Sequence, residues 1–205
     1  MYLDIDAPHQ ATNNIQIKHR DTGEVIFSRD ADANSIAKTL RIALILKTDM
    51  RHADLSCADL SYGFFAEANF AYCDFTGAIL DGANFSHARF DHANLSKVTA
   101  RLANFNRAIL HQVYARGASF RNASFKNAMS MEGDFRDCDW ANADLAGFIT
   151  RGAQLKNLTL DNAILDKSDT RIAFRANRVN VPCVCDGPCQ QCEGCKSHKK
   201  TGETA

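Results

Sequence analysis

A large apolar residue recurs at every fifth position through most of this chain. Leu, Phe or Trp occupies the multiples of five from Leu55 to Thr170, and the exceptions are Ala100, Ala115, Ser130, Thr150 and Thr170. A period of five fits neither the 3.6-residue repeat of an α-helix nor the two-residue alternation of a β-strand. The chain must therefore turn a corner every five residues and stack its turns into an all-β solenoid with a continuous core.

The sequence around each central residue is also conserved within the chain. ADLSC at 53–57, GANFS at 82–86 and NADLA at 142–146 share the pattern A-[DN]-[LF]-X-X. This pattern resembles the pentapeptide-repeat family. The resemblance implies a right-handed quadrilateral β-helix in which four repeats form one square coil, so that residues 20 apart lie directly above one another. Residues 51–172 would then form about six coils at the spacing of paired strands.

Most of the small central residues have a larger inward neighbour two positions earlier, which conserves core volume. These pairs are Val98 with Ala100, Val113 with Ala115 and Phe148 with Thr150. Ser130 follows Ala128 and lacks such a partner. We therefore expect either a distorted, under-filled coil at this point or the insertion of Met129 or Met131 into the core.

The N-terminal part of the chain is predicted to cap the open end of the solenoid, as atypical elements do in repeat proteins. Residues 1–12 are polar and are expected to be flexible. Residues 13–28 read as a β-hairpin around the turn DTGE, and a helix follows from a cap at Asp32 or Asn34 up to Met50. The segment 13–50 also looks like a hairpin-helix leader that precedes pentapeptide repeats in some bacterial and phage proteins.

The C-terminal part carries a dense group of metal-ligating residues within a predicted knob at 173–198, and 199–205 is expected to be disordered. Thiolates and imidazoles at these spacings suit a structural zinc site with four ligands. Two metals sharing thiolates, an iron–sulfur cluster and a redox-active or disordered thiol tail are the alternatives. The six candidate ligands are Cys183, Cys185, Cys189, Cys192, Cys195 and His198.

The remaining cysteines and the length of the apolar runs indicate the cellular compartment of the protein. Cys73 and Cys138 occupy small inward positions and are expected to fill the core, while Cys57 is expected at the surface. Eight cysteines without a secretory signal favour a reducing compartment. The longest apolar run, at 42–46, is too short for a membrane span. We therefore expect a cytoplasmic protein that has no membrane contact.

The net charge is zero, but acidic and basic residues are grouped in separate stretches of the chain. An acidic stretch at 53–95 is followed by a basic one at 96–130 and by a second acidic one at 131–170. The basic band is a candidate docking stripe for an acidic protein surface or for a phosphate backbone. The alternative is a solvated face with ion pairs between coils. The candidate partner-binding residues are Lys97, Arg101, Arg107, Arg116, Arg121, Lys126 and Arg136.

No catalytic motif is recognisable, so an enzyme is not expected. The first hypothesis is a non-catalytic interaction scaffold that docks a partner protein, with the zinc knob as a second contact or a C-terminal cap. The family resemblance implies an alternative, because some pentapeptide-repeat proteins mimic B-form DNA and modulate DNA gyrase. Those rods are strongly acidic and dimerise through an apolar C-terminal helix, whereas this chain is neutral and ends in a cysteine-rich segment. Nucleic-acid binding by the basic band and the cysteines is the third hypothesis, and the oligomeric state is left open.

Overall fold

The N-terminal hairpin is present in the computed structural model, which describes residues 13–31 and 36–165. Strand β1 (Asn13–His19) pairs antiparallel with β2 (Val25–Ala31). β1 also pairs with the short strand β3 (Ala53–Asp54), which gives the sheet order β2-β1-β3. The hairpin is therefore hydrogen-bonded to the start of the repeat region. The predicted flexible segment 1–12 lies outside the described residues.

The helix that follows, α1 (Ile36–Ile45), ends earlier than the predicted boundary at Met50. The N–H of Thr48 donates to the carbonyl of Ala43, and the N–H of Lys47 donates to that of Leu44. Lys47 has a φ of 57°, so these bonds form a Schellman motif with lysine where glycine is usual. The predicted N-cap residues at 32 and 34 lie outside the described part. No helix among the described residues is both long and apolar enough to cross a membrane.

The repeat region is a β-helix, as predicted. Parallel bridges join residues 20 apart along the whole described region, from Asp54 with Asp74 to Asp144 with Ile164. Neighbouring coils are tied together by the backbone. The N–H of Phe65, for example, donates to the carbonyl of Asn84 at 2.8 Å. This register places outward side chains in columns that run along the rod.

The corners of the coil are β-turns that require a left-handed residue. At one of them the N–H of Gly63 donates to the carbonyl of Leu60 at 3.1 Å, and Tyr62 between them has a φ of 56°. A positive φ recurs two residues after the other centres, in most cases at residues other than glycine. Positive φ at the third residue of a turn is the type II geometry, which turns the chain after only two strand-like residues.

Where Asp or Asn precedes a centre, its side chain has a local role. The side-chain oxygen of Asp54 accepts the backbone N–H of Ser56 at 3.0 Å, and that of Asn94 accepts the N–H of Ser96 at the same distance. Such Asx bonds satisfy a turn N–H that has no strand partner. The recurrent [DN] of the repeat is therefore explained by turn capping.

The core is a continuous stack of the central residues. Phe65, Phe85, Phe105 and Phe125 lie above one another with ring centroids 5.3, 5.3 and 4.8 Å apart. All four are fully buried. The same hydrophobic cluster contains Leu40 and Ala43 of α1, so the helix is packed on the core of the rod.

The coil around Ser130 is filled differently from the expectation. Val98, Val113 and Phe148 are buried, as predicted for the three compensated positions. The predicted insertion of Met129 or Met131 is wrong, because these side chains are 39% and 45% exposed.

Two contacts occupy the space instead. The Ser130 hydroxyl donates to the carbonyl of Leu110 at 2.8 Å. The ring of Phe135 also leans over Gly133, where a Cβ would come within 2.7 Å of it. A glycine and a hydrogen-bonded serine thus adapt this coil, and Met129 keeps its bridges to the coils on either side.

Candidate protein-interaction surface

The six predicted metal ligands at 183–198 lie outside the described residues, and so does the remainder of the knob. Of the other cysteines, Cys73 and Cys138 are buried, while Cys57 is exposed. The thiol of Cys73 donates to the carbonyl of Met50, and that of Cys138 donates to the carbonyl of Ala115, each at 2.9 Å. Burial raises the pKa of each buried thiol to about 12, so both remain protonated and unreactive near neutral pH.

The predicted basic band does not form a single face of the rod. The 20-residue register distributes its members over three of the four corners of the coil. Lys97, Arg116 and Arg136 share one corner, Arg101 and Arg121 the next, and Arg107 and Lys126 the third. A straight duplex laid along one side of the rod would therefore contact only part of this set.

Several of these cations are neutralised by acids of the next coil. Arg116 pairs with Asp137 at 2.9 Å and Arg121 with Asp139 at 2.9 Å. Lys126 pairs with Asp144 at 2.8 Å. The basic and acidic stretches are separate in sequence, but they meet in space because partners about 20 residues apart lie on adjacent coils.

Arg136 makes a more local pair. Its side chain forms two hydrogen bonds with the carboxylate of Asp134, which is buried. These bonds hold the pKa of Asp134 below its usual range. The pKa of Asp137 is lowered in the same direction, first by a hydrogen bond from Asn157 and then by one from Arg116. Asp137 therefore pairs with Arg116, whereas Asp134 pairs with Arg136.

An exposed apolar row is the surface feature that the sequence reasoning missed. It consists of Ile109, Met129 and Ile149, which we call the apolar row, joined by parallel bridges into one column. These positions precede central residues, where many of the repeats carry Asp or Asn, and their side chains point outward. Ile149 is 44% exposed and Ile109 is half-buried. Reading every twentieth residue of the sequence would have revealed the row.

In the middle of the apolar row a backbone N–H is satisfied without an Asx bond. Met129 cannot accept the N–H of Met131, and that N–H donates instead to Nδ1 of His111 on the preceding coil at 3.0 Å. The same coils are joined by a bond from the amide of Gln112 to Glu132 at 2.8 Å. These two bonds tie the backbone in the middle of the row to the preceding coil, which suits a preformed contact surface.

Cations border the apolar row on both sides. Arg107 and Lys126 lie on the corner that precedes it, and Arg151 lies on the corner that follows, beside the exposed Met131. Within the described residues neither Arg107 nor Arg151 forms an ion pair, while Lys126 does. The surface thus combines an apolar centre with cations on both borders, and Glu132 lies beside Arg151 on the corner that follows.

A second apolar surface lies at the opposite end of the rod, between α1 and the first coils. It is a shallow groove of about 450 Å³ that includes Ile45 and Phe64, with Arg41 and Lys47 beside them. Ile45 and Phe64 are both exposed. The shape of this groove depends on the packing of α1 against the first coils.

Similar chains occur in solved structures of pentapeptide repeat proteins and of a fluoroquinolone resistance protein. A pentapeptide repeat protein of the Arabidopsis thaliana thylakoid lumen is 27% identical, with a TM-score of 0.38, over 47% of this chain and 64% of that one. HetL of Nostoc sp. strain PCC 7120, involved in heterocyst differentiation regulation, is 18% identical, with a TM-score of 0.24, over 65% of this chain and 94% of that one. QnrB1, a plasmid-mediated fluoroquinolone resistance protein, is 17% identical, with a TM-score of 0.28, over 57% of this chain and 81% of that one.

The comparisons by sequence cover a smaller part of the chain. No curated protein matches the chain. A family model described as "Pentapeptide repeats (8 copies)" matches residues 68–107 and 101–129. Those residues lie in the middle of the region where bridges recur every 20 residues. Residues 68–129 are therefore pentapeptide repeats folded as a β-helix.

Proposed function

We propose that this chain is a non-catalytic protein-interaction scaffold whose apolar row docks an acidic, amphipathic segment of a partner protein. The observation that carries the proposal is the exposed row of Ile109, Met129 and Ile149 with cations on both borders. Adjacent exposed apolar side chains on a rigid surface are typical of interaction sites. The unpaired Arg107 and Arg151 would favour a partner segment of opposite charge.

In this proposal the rest of the molecule holds the row in place. The rod has about six coils, and the hairpin with α1 caps its N-terminal end. Support for the cap comes from Leu40 and Ala43, which belong to the same buried cluster as the first phenylalanines of the rod. The protein is proposed to act in the cytoplasm.

The proposal is tested by placing a photo-crosslinking amino acid at position 129 of the full chain in nuclease-treated lysate of the native host. We expect a protein adduct at 129 that the unlabelled chain competes away and that weakens as salt is raised. With the crosslinking residue kept at 129, capture should fall at least tenfold in Ile149→Asp, because charge in an apolar contact is poorly tolerated.

The matched control is Ile79→Asp, since Ile79 is 41% exposed on another face of the rod. This variant should capture the partner as well as the unsubstituted chain. Equal loss in both variants, or full retention by Ile149→Asp, would show that the row is not the docking site. Loss in Phe64→Asp instead would assign the partner to the groove beside α1.

We also propose that the tail binds structural zinc through four of the six ligands Cys183, Cys185, Cys189, Cys192, Cys195 and His198. The spacing of the thiols supports this proposal, because two-residue gaps let paired thiolates reach one ion. Metal analysis after dialysis in metal-free buffer should find about one zinc per chain more in the unsubstituted chain than in a chain with Cys189→Ser and Cys192→Ser. An equal zinc content in the two chains would exclude the site.

A further inference from the structure

Three potential metal ligands meet where the hairpin joins the first coil. His19 ends β1, Asp21 lies in the hairpin turn, and His52 occupies the first corner of the repeat region with a φ of 61°. One ligand atom from each lies within 4.8 Å of the others. His52 Nδ1 is 3.5 Å from Asp21 Oδ2. All three side chains are exposed or half-buried, so an ion can reach them.

The distance between His52 and Asp21 already fits a metal site. Zinc binds imidazole nitrogen and carboxylate oxygen at about 2.0–2.2 Å, which places two tetrahedral ligands about 3.4 Å apart. The other oxygen of Asp21 lies 3.5 Å from Nε of Arg20. That guanidinium is held away by a bond from Nη1 to the carbonyl of Tyr72 at 2.9 Å. Oδ2 is therefore the oxygen of Asp21 that can bind the ion.

The orientation of the two histidine rings determines which side chain must rotate before all three ligands can reach one ion. His19 stacks on His52 with centroids 5.0 Å apart, and His52 stacks on Tyr72 at 4.8 Å, with all three rings nearly parallel. The lone pair of an imidazole lies in the ring plane, so two parallel rings cannot both point at one ion. His19 is at the end of this stack. Its rotation would bring in the third ligand and leave His52 on Tyr72.

The hydrogen bonds of His19 are compatible with this rotation. Nδ1 accepts the backbone N–H groups of Asp21 and Thr22 at 3.2 and 3.4 Å. An accepting nitrogen carries a lone pair and no proton, which is the state that a metal requires. Both bonds are long, so little is lost when the ring turns.

We propose that His19, Asp21 and His52 bind Zn²⁺ with water as the fourth ligand. The ion would join the hairpin to the first coil, because two ligands come from the hairpin and one from the repeat region. Two imidazoles and one carboxylate are a ligand set that zinc uses in proteins. Since the folded chain brings the three groups together, zinc would stabilise the docked hairpin.

The test is calorimetric titration of ZnCl₂ into a full-length chain without tail ligands. That chain carries Cys183→Ser, Cys185→Ser, Cys189→Ser, Cys192→Ser, Cys195→Ser and His198→Ala. We expect one saturable site, weakened at least tenfold by Asp21→Asn and by His52→Ala. His92→Ala is the matched control, because His92 stacks on the other face of Tyr72 and lies outside the three-ligand group. It should leave the affinity unchanged.

The absence of saturable binding, or equal affinity in Asp21→Asn, would overturn the proposal. Should the tail substitutions impair folding, zinc bound at saturation is counted in the chain with its tail intact. Asp21→Asn should then bind one zinc fewer than the unsubstituted chain, and an equal count would also overturn it. Loss of zinc from the tail alone leaves this result unaffected, so the two sites are separable.

Discussion

Gly63 occupies an inward position where the repeat usually carries Ala. A Cβ at this position would lie 2.2 Å from Cε2 and 2.3 Å from Cζ of Phe65, a buried core ring. Gly133 has the same relation to Phe135, at 2.7 Å. At both sites the ring two residues later lies over the glycine. Restoring the commonest residue of the repeat should therefore be harmful here.

We predict that Gly63→Ala lowers the free energy of unfolding by about 1–3 kcal/mol, because the added methyl group overpacks the coil. Denaturant unfolding measures the change. In a Phe65→Leu background the same substitution should cost clearly less, since leucine is a normal central residue and leaves room for the methyl group. An equal cost in both backgrounds would show that the ring is not the cause.

A second residue-level prediction concerns acid stability. The hydrogen bonds from Arg136 hold the pKa of Asp134 below its usual range. A carboxylate with a lowered folded-state pKa stabilises the protein above its unfolded pKa of about 3.9, and this contribution is lost as the pH falls through the folded value. The free energy of unfolding should therefore fall below about pH 4. Asp134→Asn should flatten that decline in pH-dependent urea unfolding.

Arg136→Gln should have the same effect on the pH profile, because it removes the donor that lowers the pKa. Both variants should keep a residual slope, since the pKa of Asp137 is also lowered. Profiles parallel to that of the unsubstituted chain in both variants would show that the pair with Arg136 contributes nothing.

At the scale of elements, α1 ends in a Schellman motif that contains lysine. Lys47 takes the left-handed conformation with a φ of 57°, which costs a residue with a Cβ about 1 kcal/mol. Lys47→Gly should therefore raise the free energy of unfolding by about 0.5–1 kcal/mol. Arg41→Gly in the middle of the helix is the control and should lower it by about 1 kcal/mol. Thermal unfolding that shows no gain for Lys47→Gly would contradict this account.

The elements also show how far the sequence could be interpreted. The five-residue period predicted the solenoid because each repeat must bury one large side chain, and the alternation in 13–28 predicted the hairpin. The end of α1 was missed because lysine is an unusual residue at the left-handed position. The pairing of Arg116 with Asp137 could not be predicted from a charge map, since it depends on how adjacent coils align.

The candidate surface was missed for a related reason. The basic band was interpreted as a linear stretch, whereas the β-helix divides it among corners. The apolar row is visible only when Ile109, Met129 and Ile149 are compared at intervals of 20, and the same residues appear isolated in a linear sequence. Met129 was expected inside because Ser130 leaves space, but Phe135 and Gly133 fill that coil.

At the scale of the whole molecule, the rod is held together by contacts between neighbouring coils. Most of its backbone bonds connect residues about 20 positions apart, and the others close the turns within each coil. Stability in such repeat proteins is close to a sum of local and nearest-neighbour contributions. A destabilising substitution at one end of the rod should therefore unfold only the coils near that end, whereas one in a globular core destabilises the whole domain.

Leu40→Asp tests this view together with the proposed cap. Leu40 is fully buried in α1 within the shared core cluster, so an aspartate there should detach the helix and expose the first coil. Hydrogen exchange measured by mass spectrometry should show lost protection at residues 51–70, while residues 100–125 keep the protection of the unsubstituted chain. Arg41→Ala, an exposed change in the same helix, should leave both regions protected. Uniform loss along the rod would indicate a single cooperative unit, and unchanged protection at 51–70 would show that α1 does not cap the rod.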